Sequence, residues 1–282
     1  MEIKTVGVVG CGLMGSGVAE VVARRGYQVI VSEANDELLA RGMDRVRASL
    51  SKAVSRGKAT QEEMDGTLER IRGTVSLEDF ASCDLIVEAV TEDMALKKEV
   101  FVALDGICPP QAILNSNTSC LCVTEMASVT GRGDKVLGLH FFNPVPVIKL
   151  LEIVRTILTS EETMATCRAF GESLGKTVVE APDTPGFIVN RLLVPYLLNA
   201  IRLVEDQVAT VEDIDQAMKL GTNVPMGPLT LSDFIGLDTM LHIADQMHDE
   251  FRDPLYAPPP LLKRMVLAGH LGRKTGKGFY DY

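Results

Sequence analysis

The sequence predicts an α/β protein of two domains: a doubly wound sheet with an inserted helical pair, followed by an all-α C-terminal domain. Three observations support this prediction. Short β-rich apolar runs alternate with segments of helical period through the first half of the chain, which is typical of a parallel sheet with helices on both faces. Residues 36–72 have the pattern of two helices, which is more than one crossover requires. Beyond residue 183 the apolar residues recur with helical period only.

Seven apolar runs are the expected strands of the sheet. They cover residues 5–9, 29–32, 85–89, 112–114, 136–140, 151–155 and 177–180, with a further helix expected near 161–174. The segment 181–186 reads Ala-Pro-Asp-Thr-Pro-Gly, which is typical of a break between elements, so we predict domains 1–182 and 183–282. The apolar stretch 187–204 contains arginine, asparagine and proline, and is therefore predicted to be a buried helix and not a membrane span.

Composition limits the classes of protein that the chain can form. It has 282 residues, 46% of them hydrophobic, which is enough for two cores. The formal net charge of -10 argues against a general nucleic-acid binder. The six cysteines have neither Cys-x-x-Cys nor metal-like spacing, so we expect reduced thiols, no metal site and a cytoplasmic protein. The first residues lack a basic segment and a cleavage site, so no export signal is expected.

A glycine-rich turn follows the first expected strand and opens a helix. It consists of Gly10, Cys11, Gly12, Leu13, Met14 and Gly15, which is a G-x-G-x-x-G pattern. In this context Gly10 permits a tight turn, Gly12 lets a pyrophosphate approach the backbone, and Gly15 allows close packing of helix on strand. The pattern predicts a Rossmann-type dinucleotide site, with the phosphates at the helix N-terminus. The alternative is a glycine-rich turn that binds no ligand.

Glu33 indicates which dinucleotide is bound. It ends the second expected strand, eighteen residues after Gly15, where a carboxylate accepts hydrogen bonds from an adenosine ribose and repels a phosphate. We therefore predict NAD as the cofactor. Arg24, Arg25 and Arg41 lie near enough in sequence to keep NADP as an alternative, although we interpret them as solvated helix-face residues.

A candidate acid/base group ends another apolar strand. His140 stands where ligands bind in open parallel sheets, although a histidine beside apolar residues more often satisfies a core hydrogen bond. Glu152 lies twelve residues later on the next expected strand and can accept a hydrogen bond from the imidazole after a chain reversal. Ser119 follows a third strand and is either a ligand of the reacting oxygen or a turn or cap residue.

With these motifs the chain resembles the L-3-hydroxyacyl-coenzyme A dehydrogenases, especially the bacterial 3-hydroxybutyryl-coenzyme A dehydrogenases. The resemblance extends over nearly the whole chain. It is carried by the segments VVGCGLMGSGVAE, IVEAVTED, NSNTSCL, GLHFFNPVPVIKLLEIV, DTPGFIVNRLLVPYL, GPLTLSDFIGLD and GRKTGKGFYDY. Seven matches in the same order are far more specific than the glycine pattern alone.

The resemblance implies roles for individual residues. It implies that His140 is the general base, that Glu152 is its paired carboxylate, and that Ser119 and Asn190 bind the substrate oxygen. It implies that Asn143 lies near the nicotinamide and that Glu92, Lys97 and Lys274 are further cofactor contacts. It also implies that Ser49 and Arg56 contact coenzyme A. Three positions depart from the family pattern, namely Cys11, Glu33 and Cys120. Glu33 keeps the acceptor chemistry of the usual Asp but adds a methylene. Cys120 replaces a usual Ser, and we interpret it as a buried, inert thiol with thiol sensitivity as the alternative.

A basic stripe supports the coenzyme A assignment independently. Arg45, Ser49, Lys52 and Arg56 are spaced by four, three and four residues, so they share one face of a helix. On an acidic protein such a stripe is a plausible phosphate site, and a solvated helix face is the alternative. Lys52 and the rest of the stripe are therefore candidate substrate contacts.

The resemblance also implies an acyl-coenzyme A substrate and a homodimer, with no nucleic-acid or membrane partner. Two other functions stay open on the residues alone. One is a related hydroxy-acid or sugar-acid dehydrogenase on the same scaffold, and the other is a non-catalytic NAD-binding sensor. A four-carbon acyl group is our first expectation, with an adipyl or aromatic-pathway thioester as the alternative.

Overall fold

The structure is a computed structural model that describes residues 2–282. It divides into two compact units, the first ending at Thr184 and the second spanning Pro185–Tyr282. The strands of the first unit are β1 (Thr5–Val9), β2 (Gln28–Ser32), β3 (Ile71–Thr74), β4 (Leu85–Glu88), β5 (Ile113–Ser116), β6 (Val136–Phe141), β7 (Leu150–Arg155) and β8 (Thr177–Pro182). They form one sheet in the order β3-β2-β1-β4-β5-β6-β7-β8. The predicted doubly wound sheet is confirmed.

Helices connect these strands. They are α1 (Leu13–Arg24), α2 (Asp36–Ser55), α3 (Gln61–Glu69), α4 (Met94–Ile107), α5 (Val123–Ala127) and α6 (Glu161–Ser173). The predicted inserted pair is α2 and α3. Asn35 caps α2 by accepting from the Leu38 N–H, and Thr60 and Glu63 form a capping box at the start of α3. The capping box starts a new helix after α2 has ended at Ser55, which separates the two helices.

The prediction that residues 36–72 are helical throughout is wrong at its end. Helix α3 stops at Glu69, and β3 runs parallel to β2 at the edge of the sheet. The strand escaped detection because Ile71 is its only buried residue and Arg72 and Gly73 are exposed, so it lacks a β-rich apolar run. Gly73 has a packing reason, since a Cβ there would lie 3.0 Å from the side chain of Leu39 on α2.

The core of the first unit lies between the sheet and its helices. Helix α1 packs Val18 and Val22 against the sheet, where Val6 and Val8 of β1 are completely buried. Burying one such side chain stabilises the fold by about 1.5–3 kcal/mol. Because β1 is central and α1 begins directly after its C-terminal turn, this packing fixes the position of the glycine-rich turn.

Pairing in the sheet changes direction once. Strands β1 to β6 pair in parallel, whereas β7 runs antiparallel to β6 and β8 runs parallel to β7. The C-terminal ends of the parallel strands meet at one edge of a sheet, which is where open α/β folds bind ligands. The antiparallel register places His140 directly opposite Glu152 at that edge.

The second unit is helical, as predicted. Its helices are α7 (Val189–Glu205), α8 (Val211–Thr222), α9 (Pro228–Ile235), α10 (Leu237–Phe251) and α11 (Pro260–Leu267). Buried Asp215 joins three elements by accepting from the Leu229 and Thr230 N–H groups of α9 and from the Tyr280 hydroxyl. Within the described residues, no helix is both long and apolar enough to cross a membrane.

A buried arginine organises the end of the first unit that carries the C-terminus of α4. Arg132 is 8% exposed, and its Nε donates to the Asp105 carboxylate at 2.6 Å. Its other nitrogens donate to main-chain oxygens of Asp105, Cys108 and Pro109. One side chain thus donates to three carbonyls at and just beyond the end of the helix, where main-chain oxygens lack intrahelical donors.

We expect Arg132→Met to lower the free energy of unfolding by about 3–5 kcal/mol, because it leaves the partly buried Asp105 carboxylate without its cationic partner and removes the Arg132 donors to three carbonyls. Urea unfolding followed by circular dichroism measures this loss. Arg47→Met is the matched control, since Arg47 pairs with Asp44 in solvent and its removal should change little. A loss in the Arg132 variant no larger than in the control would contradict the structural argument.

Candidate active site

A histidine–glutamate pair lies at the C-terminal end of β6. His140 Nδ1 is 2.7 Å from Glu152 Oε2, and both side chains are almost completely buried. The pair forms because residues directly opposite in antiparallel strands project from the same face of the sheet. A neutral imidazole that donates its Nδ1 proton to a carboxylate presents a lone pair at Nε2.

Ser119 lies on the other side of the imidazole. Its hydroxyl is 3.1 Å from His140 Nε2. The loop after β5 is fixed by Thr118, whose hydroxyl accepts from two following N–H groups, and by Asn117, whose side chain accepts from the Phe141 N–H at 2.9 Å. Asn117 therefore ties the serine loop to the histidine strand. Sequence reasoning missed Asn117, although it lies two residues before Ser119 in the same polar segment.

The Ser119–His140–Glu152 arrangement has the order of an acyl-transfer triad, but the two main-chain N–H groups beside the Ser119 hydroxyl already donate to other side chains. The Ser119 N–H donates to Glu92 Oε1 at 3.0 Å, and the Cys120 N–H donates to the Thr118 hydroxyl. Both main-chain donors beside the hydroxyl are thus occupied, whereas a serine nucleophile needs free donors for the tetrahedral intermediate. The geometry favours a serine that binds an oxygen over one that attacks a carbonyl.

Two predicted cofactor contacts lie next to this loop. Lys97 is 1% exposed and pairs with Glu88 at 2.6 Å and with Glu92 at 3.4 Å. Glu88, a completely buried residue at the end of β4, is a further residue that sequence reasoning missed. Its signal was an acidic residue closing an otherwise apolar strand, Leu-Ile-Val-Glu.

The glycine-rich turn is built as its pattern requires. Gly10 has a φ of +92°, which favours glycine, and a Cβ at Gly15 would overlap the Gly10 carbonyl oxygen. A Cβ at Gly12 would meet no atom within 4 Å, so open space lies over the start of α1. The helix start can therefore receive an anion without obstruction.

A cleft of about 440 Å³ adjoins this turn. Its lining includes Gly10, Gly12, Glu33, Leu38 and Val90, but no lysine or arginine of the described chain. Glu33 accepts from the Cys11 N–H at 2.8 Å and from the Ala34 N–H at 3.2 Å, which holds its carboxylate at the cleft. These residues fit an adenosine with a free ribose hydroxyl, because a 2′-phosphate would meet a carboxylate and no cation.

The three arginines that left NADP open are engaged elsewhere. Arg24 pairs with Glu20, Arg25 donates to the Leu174 carbonyl, and Arg41 pairs with Glu37. All three are exposed, as interpreted from the sequence, although Arg25 is the C-cap of α1, and none of them lines the cofactor cleft.

The basic stripe lies on α2. Ser49 and Lys52 are in the helix and Arg56 is its C-cap, with both basic side chains exposed. Arg45 instead turns toward the glycine-rich turn, and its Nη1 donates to the Cys11 carbonyl at 3.4 Å. Beneath the stripe, burial raises the pKa of the Glu20 carboxyl, and a hydrogen bond from Ser49 opposes that shift.

The remaining predicted residues are distributed over both units. Asn143 is exposed, two residues beyond β6. Asn190 is half-buried in the first turn of α7, and Lys274 pairs with Asp238 at 2.5 Å; both belong to the second unit. The first unit alone brings together His140, Glu152, Ser119, Glu92 and Lys97.

All six cysteines are free thiols. Cys120 is 2% exposed, and burial raises the pKa of its thiol far above the usual value, which agrees with an inert group. Burial and the neighbouring Glu33 raise the pKa of Cys11 to about 11. No group of ligands suited to a metal ion occurs among the described residues.

Comparisons with known proteins agree with this geometry. Residues 5–184 match the NAD-binding domain of 3-hydroxyacyl-CoA dehydrogenase, and residues 186–282 match the C-terminal domain of the same enzyme. The 3-hydroxybutyryl-CoA dehydrogenase of Mycobacterium tuberculosis is 52% identical over 99% of both chains. A probable 3-hydroxybutyryl-CoA dehydrogenase of Bacillus subtilis is 48% identical over 100% of this chain and 98% of that protein.

A solved structure extends the likeness to three dimensions. The crystal structure of (S)-3-hydroxybutyryl-CoA dehydrogenase PaaH1 from Ralstonia eutropha has a TM-score of 0.94 and 42% identity, covering 100% of this chain and 99% of that one. The fold, the cleft and these matches define an NAD-dependent oxidoreductase. The chain belongs to the 3-hydroxyacyl-CoA dehydrogenase family.

Two glycine substitutions should separate cofactor binding from folding. We expect Gly12→Ala to fold normally, because its methyl group meets no protein atom, but to bind NADH at least about tenfold more weakly, because the methyl group fills the space over the helix start. Gly15→Ala should instead lower the melting temperature, since its Cβ overlaps Gly10. Thermal unfolding without cofactor and a fluorescence titration with NADH measure the two effects. Equal NADH affinity in wild type and Gly12→Ala would contradict the assignment.

Proposed function

We propose that the protein interconverts (S)-3-hydroxyacyl-CoA and 3-ketoacyl-CoA thioesters, with 3-hydroxybutyryl-CoA and acetoacetyl-CoA as its substrates. The four-carbon acyl group is suggested by the names of the relatives in M. tuberculosis, B. subtilis and R. eutropha. The observation that carries the proposal is His140 held between Glu152 and Ser119 at 2.7 and 3.1 Å. Such a group is built to move a proton at a substrate oxygen.

His140 acts as the acid/base in this scheme. In the oxidative direction its Nε2 takes the proton from the substrate 3-hydroxyl, and Glu152 stabilises the resulting imidazolium. In the reductive direction the imidazolium returns that proton to the 3-keto oxygen. When bound, NAD supplies the hydride acceptor, and NADH the hydride donor, at C3.

Ser119 and Asn190 hold the reacting oxygen. The serine hydroxyl, which already contacts His140 Nε2, donates to the substrate oxygen and polarises the keto group before reduction. We assign the Asn190 amide to the same task from the resemblance of its segment. This assignment makes residues 183–282 the substrate-binding part of the protein and residues 1–182 the NAD-binding part.

The remaining contacts follow from position and charge. We assign the adenosine ribose to Glu33, the pyrophosphate to the Gly10–Gly15 turn including Cys11, Leu13 and Met14, and further cofactor contacts to Glu92, Lys97, Asn143 and Lys274. The coenzyme A phosphates are assigned to Ser49, Lys52 and Arg56 on α2, where the exposed cations offer a site for them. We further propose a homodimer formed through the helical unit, in the cytoplasm.

An assay with a panel of 3-ketoacyl-CoA thioesters tests the proposal. We expect NADH oxidation to be fastest with acetoacetyl-CoA as the thioester. When NADPH replaces NADH, its oxidation should be much slower, because the cleft offers a carboxylate and no cation to a 2′-phosphate. Turnover of free acetoacetate as fast as its thioester would indicate a hydroxy-acid dehydrogenase instead. NADH binding without turnover of any thioester would indicate a non-catalytic sensor.

We expect His140→Gln to lower kcat for acetoacetyl-CoA reduction by at least about 10²–10⁴-fold, because glutamine cannot transfer the proton, while NADH binding stays nearly intact. Stopped-flow absorbance of NADH and a fluorescence titration give the two values. His248→Gln, on α10, is the control and should keep wild-type turnover. If His140→Gln keeps that turnover too, His140 is not the acid/base.

Glu152→Gln should weaken catalysis through the imidazole. A neutral amide can still accept from Nδ1, but it stabilises the imidazolium less, so we expect kcat to fall by roughly tenfold or more with little change in KM for NADH. Glu161→Gln removes an exposed carboxylate that pairs with Arg155 and is the matched control. Equal kcat values for the two variants would refute the pairing.

A further inference from the structure

Glu88 has no assigned role in the proposed reaction, yet its carboxylate beside the site accepts three hydrogen bonds. Its Oε1 accepts from Lys97 Nζ at 2.6 Å and from the Val90 N–H at 2.7 Å. Its Oε2 accepts from the Ser116 hydroxyl at 2.7 Å. The side chain is 0% exposed, so an ionised carboxylate is tolerated only because these donors surround it.

These donors belong to the two loops that carry predicted site residues. Val90 lies in the loop after β4, two residues before Glu92. Ser116 ends β5, and its hydroxyl also accepts from the Thr118 N–H next to Ser119. Glu88 therefore binds the loop after β4 and the loop after β5 at the same time.

Lys97 is shared by two carboxylates. Besides Glu88, it faces Glu92 Oε2 at 3.4 Å, and that oxygen is buried with no hydrogen-bond partner among the described residues. Glu92 Oε1 accepts from the Ser119 N–H at 3.0 Å. The lysine is thus closer to Glu88 than to Glu92, and Glu92 is left free to hold the serine.

We propose that Glu88 is a positioning residue for the reaction: by keeping Lys97 partly away from Glu92, it lets Glu92 fix the Ser119 backbone and hence the contact between the Ser119 hydroxyl and His140. This inference rests on the proposed function, because it assigns Ser119 a place in that chemistry. Glu88 acts through Lys97, Glu92 and Ser116, since its hydrogen bonds are to Lys97, Val90 and Ser116.

Glu88→Gln removes the negative charge of the side chain and keeps its size and shape. The glutamine carbonyl can still accept from Lys97 and Val90, and its amide can donate to the Ser116 hydroxyl, so no cavity forms. Lys97 then has Glu92 as its only anionic partner among the described residues. The lysine should move toward Glu92 and draw that carboxylate away from the Ser119 N–H.

The test is a double-mutant cycle between Glu88→Gln and Glu92→Gln. We expect Glu88→Gln to lower kcat for acetoacetyl-CoA reduction by about tenfold to a hundredfold, as small misplacements of catalytic groups do. In the Glu92→Gln background the same change should alter kcat by less than about twofold, because the connection is already broken. Hydrogen exchange of the cofactor-free protein supplies a second readout: the peptide that contains Ser119 should exchange faster in Glu88→Gln.

A matched control and a second variant keep the outcomes distinct. Asp105→Asn neutralises another partly buried carboxylate, at the other end of α4, and should lower the melting temperature without changing kcat. If Glu88→Gln does not fold, Ser116→Ala is the second variant. It removes the hydroxyl that donates to Glu88 and accepts from the Thr118 N–H, without touching a charge, and we expect it to lower kcat by about threefold to tenfold.

Three results would overturn this inference and leave the proposed function standing. They are a wild-type kcat in folded Glu88→Gln, an equal effect of Glu88→Gln on kcat in both backgrounds, and, where Glu88→Gln does not fold, a wild-type kcat in Ser116→Ala. If wild type itself does not oxidise NADH with any thioester, the proposed function fails, and the inference fails with it.

Discussion

The hydrogen bond between His140 and Glu152 depends on the one antiparallel pairing of the sheet. Strands β6 and β7 bring the two residues opposite each other, so the imidazole is oriented by main-chain register and not by a flexible loop. A parallel β7 would have entered the sheet from the other end and required a long crossover. The short connection after His140 is what lets a carboxylate twelve residues away reach the ring.

The rest of the site is arranged around that pair by the ends of the parallel strands. Four parallel strands end at the same edge of the sheet. The glycine-rich turn follows β1 and Glu33 follows β2, while the Glu88–Glu92 segment lies at the end of β4 and the Ser119 loop follows β5. The loops are then joined by side chains that donate or accept across them, notably Asn117 and Glu88. Rigid strands set approximate positions, and buried polar contacts set the final ones.

Much of this could be read from the sequence, for identifiable reasons. Strands with long apolar runs and a glycine pattern with three separate steric roles leave strong signals, and so does a histidine ending a strand. Strand β3 left none, because an edge strand with one buried residue needs no apolar pattern. Glu88, Asn117 and the sharing of Lys97 depend on which loops meet in space, and spacing along the chain does not encode that.

The occupied N–H groups of Ser119 and Cys120 have a further consequence for a protein that handles activated esters. A hydroxyl beside an imidazole and a carboxylate would ordinarily threaten a thioester with hydrolysis. Here Glu92 and Thr118 consume the donors that such cleavage would need. The geometry therefore disfavours cleavage of the carbon–sulfur bond and favours proton transfer at the oxygen of C3, two carbons from the thioester carbonyl.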